Sequence, residues 1–256
     1  MAVPEFVRLA AHPLRWQLLT ALAGGDYRVR ELVALVGEPQ NLVSYHLRLL
    51  RDGGLVTTNR SSFDGRDTYY HLDLDRCATE LAATGAALHP ALRPAPQPAH
   101  SAPHAMPPSS APPTAHPSAA VAGREVAVLF VCTGNSARSP IAEALLRHHT
   151  GGRAHAVSAG TQPRPELHPD TERVLREAFG IDVAGRRPQH VDAVAGHRFD
   201  HVITLCDKAR ESCPDFGSRR THWSIPEPDG YTAFQQTAAD IDTRVRHLLP
   251  TLEEVP

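Results

Sequence analysis

The chain has 256 residues, a net charge of −2 and a hydrophobic fraction of 41%. That is enough for two small packed domains, and it gives bulk electrostatics no preferred partner. No apolar run reaches the length of a membrane span and Met1 to Ala10 lacks a signal-peptide layout, so the expected location is the cytoplasm, with no membrane partner. Four cysteines are too few for a secreted disulfide framework. Sixteen histidines are scattered without an HxxxH or CxxC core, so no metal centre is expected from them.

Residues 1–88 form the first expected domain. Pro13 to Leu22 carries apolar residues at helical spacing and stops at Gly24-Gly25; Val29 to Val36 is a second helix closed by Gly37. A third opens at Pro39, with Val43, Leu47 and Leu50 on one face and Gln40, Asn41, Ser44, Tyr45 and Arg48 largely on the others. Leu55 to Asn59 and Asp67 to Leu72 alternate like strands around Asp64-Gly65, and a last helix runs from about Asp75 to Leu88. Two helices joined at a glycine turn and followed by a hairpin describe a winged helix-turn-helix, mainly α with a β-hairpin wing. Gln40 and Asn41 suit adenine and Arg48 guanine, while Arg51, Arg60 and Arg66 suit phosphates. The segment nevertheless holds 9 Lys/Arg against 10 Asp/Glu, so a strong basic footprint is missing, and a helical interaction domain with a solvated polar face is the competing reading.

Residues 89–123 are dominated by proline, alanine and serine, a composition that buries no core and reads as a disordered linker. From 124 to 256 the pattern alternates strand and helix. Strands are expected at 125–131, 154–158, 200–205 and 220–225, and helices at 140–150, 169–179, about 207–212 and 232–249. This predicts an α/β domain with a four-stranded parallel sheet, whose ligands sit beyond the carboxyl ends of the strands. Cys132 and Cys206 each follow an apolar strand and fall at that edge.

After Cys132 come Thr133, Gly134, Asn135, Ser136, Ala137, Arg138 and Ser139, then a helix. Loop amides and a helix N-terminus cradle an anion. A cysteine at one end supplies a nucleophile, and such surroundings favour thiolates in general. Arg138 offers a fork for two oxygens of a tetrahedral oxyanion, Ser139 a donor to the sulfur, and Asn135 side-chain bonds to the loop backbone. Cys206 and Cys213 are seven residues apart. On a helix that spans about 10 Å, beyond the roughly 4.4–6.8 Å that a disulfide tolerates, so the two bond only if the intervening residues unwind. A surface thiol in a Cys-Pro turn is the alternative for Cys213.

Two resemblances sharpen these readings. ELVALVGEPQNLVSYHLRLLRDGGLV with GRDTYYHL resembles the arsenical-resistance repressor (ArsR) family over residues 5–85, which implies operator DNA as partner and a homodimer formed through the first and last helices of the domain. Where that family often carries Cys-Val-Cys, this chain has RELVALV at 30–36, so direct metalloid sensing is not expected and Cys77 is read as a packing residue. VCTGNSARSP resembles the low-molecular-weight tyrosine phosphatase fold. SAGT at 158–161, FGID at 179–182, DHVITLCDKARESCP at 200–214 and HWSIPEP at 222–228 resemble the thioredoxin-coupled arsenate reductases (ArsC) over 125 to about 250.

The second resemblance implies a relay from Cys132 to Cys206 to Cys213, an arsenate or phosphate-like oxyanion as substrate, no bound cofactor, and a thioredoxin-like external reductant. It implies an acid at Glu227, with Asp229 competing, and a possible potassium ion at Asn135, Glu143, Ser158 and Asp192. Ala137 replaces a cysteine of some relatives, and only Tyr231 stands where tyrosine phosphatases often carry tandem tyrosines. A protein-tyrosine phosphatase with a regulatory module, and a DNA-binding regulator that senses oxyanion or redox state through its C-terminal half, are the remaining alternatives.

Overall fold

The computed structural model describes residues 3–92 and 125–253; most of the expected linker, residues 93–123, lies outside the described residues. The N-terminal half runs α1 (Glu5–Ala10), α2 (Pro13–Ala23), β1 (Tyr27–Arg28), α3 (Val29–Val36), α4 (Gln40–Asp52), β2 (Val56–Arg60), β3 (Thr68–Leu72) and α5 (Leu74–Leu88). Local chemistry sets these boundaries. Glu31 accepts from the Arg28 backbone N–H at 2.7 Å, closing a capping box that starts α3. Gly37, at φ +70°, ends it with an N–H bond to the Val33 carbonyl. Val43, Leu47 and Leu50 are fully buried, which seats α4 on the core and leaves its polar face outward. The hairpin is antiparallel in the order β1-β3-β2, and Asp67 N–H closes its turn on the Asp64 carbonyl. The two-residue β1 was not expected, because two residues carry no alternation; it exists through pairing of Tyr27 with Tyr70 and Arg28 with Tyr69.

The C-terminal half runs β4 (Ala127–Cys132), α6 (Arg138–Thr150), β5 (His155–Gly160), α7 (Pro169–Phe179), β6 (His201–Thr204), α8 (Asp207–Ser212), β7 (Arg219–His222) and α9 (Tyr231–Glu253). All four strands are parallel in the order β5-β4-β6-β7. Val128 to Val131 have no exposed surface, as a strand covered on both faces requires. Where a strand was expected to reach 225, β7 stops at His222, because the Ser224 N–H turns away to bond Asp26 of the other half. The last helix runs four residues past the expected 249, with Pro250 inside its final turn.

The halves are docked on one another. Asp26 N–H bonds the His222 carbonyl at 2.8 Å, and its carboxylate takes Ser224 N–H and the Arg244 guanidinium at 2.7 and 3.1 Å. Asn59 reaches the Ser224 carbonyl, and the Tyr69 ring lies 4.9 Å from that of His222. Among the described residues no helix is long and apolar enough to cross a membrane.

Because Leu129 is fully buried in the central strand, Leu129→Ala is expected to cost about 2–5 kcal/mol in denaturant unfolding. Arg246→Ala, at a half-exposed helix pair, is expected to cost under about 1 kcal/mol. Equal losses would contradict this placement of the core.

Candidate active site

Cys132 ends β4 and is paired with Gly160 of β5. The loop that follows is turned by its neighbours: the carbonyls of Cys132, Thr133, Gly134 and Ser136 accept from Thr161, Gln162, Arg164 and His168 N–H. With the carbonyls held outward, the amides of Gly134, Ser136, Ala137 and Arg138 have no acceptor among the described residues. That is the wiring of an anion cradle. Asn135 takes the left-handed conformation at φ +46°, which asparagine tolerates better than most residues.

Two donors converge on the Cys132 sulfur: Asn135 N–H at 3.2 Å and the Ser139 hydroxyl at 3.0 Å. Asn135 Nδ2 donates to Ser139 Oγ at 2.9 Å, which leaves the Ser139 hydrogen for the sulfur, since its other acceptor, the Ala159 carbonyl, is 3.4 Å away. The expected bonds from Asn135 to its own loop backbone are replaced by bonds to Ser139 and Ser158, and its Oδ1 accepts from Gln189 N–H.

Arg138 opens α6 and is 5% exposed. One terminal nitrogen bonds the Ile225 carbonyl at 3.0 Å, the other lies 3.6 Å from Glu227, and Nε is buried without a partner. Glu227 also lies 3.7 Å from Arg164. These side chains border a cavity of about 320 Å³ together with Cys132, Thr133, Gly134, Ser136, Ala137 and Cys206. Asp229 is exposed and does not border it. Ser62 and Phe63, from the tip of the N-terminal hairpin, form the rest of its rim with Gln162 and Lys208.

Cys206 caps α8 one strand away from Cys132, with the Thr133 hydroxyl 3.3 Å from its sulfur. Burial pushes the Cys206 thiol up, and nearby Arg138 opposes this. Cys213, at the other end of α8, is also buried and also pushed up by that burial. Cys77 packs in the N-terminal core, pushed up to about 11 by burial. All four cysteines are free thiols.

Sequence reasoning missed Asp207, the buried residue after Cys206. It accepts from His222 at 3.1 Å, Ser224 at 2.9 Å and, across the domain boundary, Ser62 N–H at 3.1 Å. Burial raises its pKa, but donors at His222, Ser61 and Ser224 outweigh that and hold it at about 2. Gly160 was visible only as part of a motif; a Cβ there would stand 2.7 Å from the Thr133 carbonyl and 2.9 Å from Asn135 Cβ.

The four residues considered for potassium are not gathered. Asn135, Ser158 and Glu143 form a hydrogen-bonded chain, but Glu143 is engaged by Arg147 and Arg186. Asp192 is exposed beside His190. With two guanidinium groups on its one buried carboxylate, this set does not fit a cation. On the N-terminal half, Gln40, Asn41, Tyr45 and Arg48 are exposed on α4 with Ser44 half-buried, and Arg66 is exposed on the hairpin.

A model described as low molecular weight phosphotyrosine protein phosphatase matches residues 127–255, just over half of the chain. The chain belongs to that family. A second model, bacterial regulatory protein of the arsR family, matches residues 12–58, so this family member carries an arsR-type helix-turn-helix domain ahead of its catalytic fold. Arsenate reductase of Bacillus licheniformis is 32% identical over 136 residues, covering 49% of this chain and 96% of that protein. Arsenate reductase of Brevibacillus brevis is 31% identical over 130 residues, again covering 49% and 96%. Among solved structures, a thioredoxin-dependent arsenate reductase of Corynebacterium glutamicum is 32% identical with a TM-score of 0.44, covering 52% of this chain and 64% of that one. An Archaeoglobus fulgidus arsenate reductase is 34% identical with a TM-score of 0.42, covering 48% and 98%.

Two outcomes are expected. Gly160→Ala pushes the loop off its register and lowers phosphate affinity at least about tenfold in calorimetry, since misplacement by about 1 Å is costly at such sites; unchanged affinity would mean the loop yields freely. Asp207 is held below its ordinary value of 3.8 at about 2, so its contribution is fully present above pH 4 and is lost as pH falls through 2. Asp207→Asn should therefore lose up to about 2 kcal/mol less than the parent between pH 4 and pH 2 in acid unfolding.

Proposed function

We propose that the chain is an arsenate reductase whose electrons pass through Cys132, Cys206 and Cys213, joined to an operator-binding winged-helix module. One observation carries this reading: Cys132 and Cys206 stand at the tips of adjacent strands, with a third thiol at the far end of the six-residue α8. The arsenate reductases of about 32% identity over this half support it. A phosphoester hydrolase has work for Cys132 alone; it has none for the other two thiols.

In the proposed sequence the oxyanion sits on the loop amides with Arg138 across two of its oxygens. The Cys132 thiolate attacks arsenic, and an oxygen leaves as water after Glu227 donates a proton. The Cys206 thiolate then attacks the Cys132 sulfur; the sulfur–arsenic bond breaks, its electron pair stays on arsenic, and arsenite departs. Cys213 attacks the Cys206 sulfur and expels Cys132 as thiolate. One arsenate and two thiols thus give arsenite, water and one disulfide between Cys206 and Cys213. A thioredoxin-like dithiol reduces that disulfide. The dimer is proposed through α1 and α5, where Val7, Leu81 and Leu88 are exposed, and operator contact through Gln40, Asn41, Ser44, Tyr45, Arg48 and Arg66.

Cys213→Ser tests the relay. Thioredoxin-coupled NADPH oxidation with arsenate is expected to fall at least about 100-fold, while one equivalent of arsenite still forms in a single turnover. Full coupled turnover by this variant would remove Cys213 from the relay. Vigorous hydrolysis of para-nitrophenyl phosphate with no arsenate reduction by the parent protein would favour the phosphatase reading.

A further inference from the structure

The helix that the relay must unwind is the one that the N-terminal half holds. α8 has six residues, and three of them carry contacts across the domain boundary. Asp207 accepts the Ser62 backbone N–H at 3.1 Å. Arg210 bonds Glu31 at 2.7 Å, with both side chains about one-fifth exposed, and its guanidinium lies 5.4 Å from the centre of the Tyr69 ring. Glu211 pairs with Arg28 at 3.2 Å, and Arg28 lies 5.5 Å from the same ring. Tyr69 is 1% exposed, so α8 and the wing close over it together.

A disulfide between Cys206 and Cys213 cannot form around this helix. The two residues cap its opposite ends, and at about 1.5 Å per residue their backbones start about 10 Å apart against the roughly 4.4–6.8 Å that the bond requires. Closing the gap displaces Asp207, Arg210 and Glu211, the residues that hold the wing. The docked wing and the disulfide therefore compete for one segment.

We infer that the thiol state of Cys206 and Cys213 sets the position of the winged-helix half: the dithiol keeps the wing docked, and the disulfide releases it. This rests on the relay proposed above, which supplies the disulfide and the dithiol reductant that removes it. No further oxidant enters, because arsenate accepts the two electrons. While docked, the hairpin tip borders the catalytic cavity through Ser62 and Phe63, so the same tip is withheld from a DNA backbone. Release makes it available. The enzyme half thereby stands in for the metalloid site that the N-terminal half lacks. Coupling of this kind is reciprocal, so docking must also resist disulfide formation.

The test uses the full chain carrying Cys77→Ala and Cys132→Ser, equilibrated in glutathione buffers, with the 206–213 disulfide quantified by mass spectrometry. On oxidation the radius of gyration from small-angle scattering is expected to rise, and the Ser62 amide to exchange at least about tenfold faster. Glu31→Gln keeps an oxygen for the Arg28 backbone N–H, substitutes no residue of the catalytic half and removes the charge that pairs with Arg210. It is expected to shift the disulfide equilibrium about tenfold toward the oxidised form, which is about 30 mV for a two-electron couple. A disulfide that forms while scattering and Ser62 exchange stay unchanged, or a Glu31→Gln variant with the parent's midpoint, would overturn the inference and leave the relay standing. Failure of any 206–213 disulfide to form would overturn both.

Discussion

Parallel pairing of β4 with both β5 and β6 is the constraint from which the site follows. Register is fixed by continuous apolar strands: Phe130 faces Ser158 on one side and Ile203 on the other, and so Cys132 ends opposite Gly160 and beside the strand that leads into Cys206. One-residue slippage would turn every side chain of β4 to the opposite face of a sheet packed on both sides, where Val128 to Val131 would meet neighbours shaped for other side chains. The loop then has little freedom left. Its carbonyls are tied to the chain after β5, its amides remain, and Asn135 is braced from Ser139, Ser158 and Gln189.

On the opposite flank of the same edge, Asp207 joins three things that are separate in sequence. It continues from Cys206, it is bonded through His222 and Ser224 to the end of the sheet, and it receives Ser62 from the hairpin. A carboxylate this buried stays charged only because donors surround it. The wing thus forms part of the wall of the candidate site, and the two domains that composition suggested are docked on one another through the described residues.

What was legible in the sequence was what short-range pattern encodes. Val43, Leu47 and Leu50 repeat at helical spacing, VLFVC is an apolar run that ends in a cysteine at the sheet edge, and the stretch between Cys206 and Cys213 reads as the short helix that the structure contains. Long-range pairing was not legible. Asp26, Arg28 and Glu31 look like ordinary surface charges in a sequence, yet Asp26 is 2% exposed because Arg244 lies 218 residues away on top of it. The role of Gly160 depends on what stands opposite its missing side chain, and the exclusion of a cation near Glu143 depends on Arg186, which no local pattern ties to it.

The Asp26–Arg244 pair has a consequence for how the two halves could have come to share one chain. Taking two such charges from water costs several kcal/mol for each ion, and the cost is recovered only where geometry and additional hydrogen bonds are good. Here Asp26 satisfies Arg244 and the Ser224 amide together, and Asp240 takes the remaining face of the guanidinium. A greasy contact would tolerate many approach angles. An ion pair sealed in this way penalises every misaligned approach, so it serves as a locating pin: it adds little grip, but it decides the single orientation in which the hairpin and α8 meet.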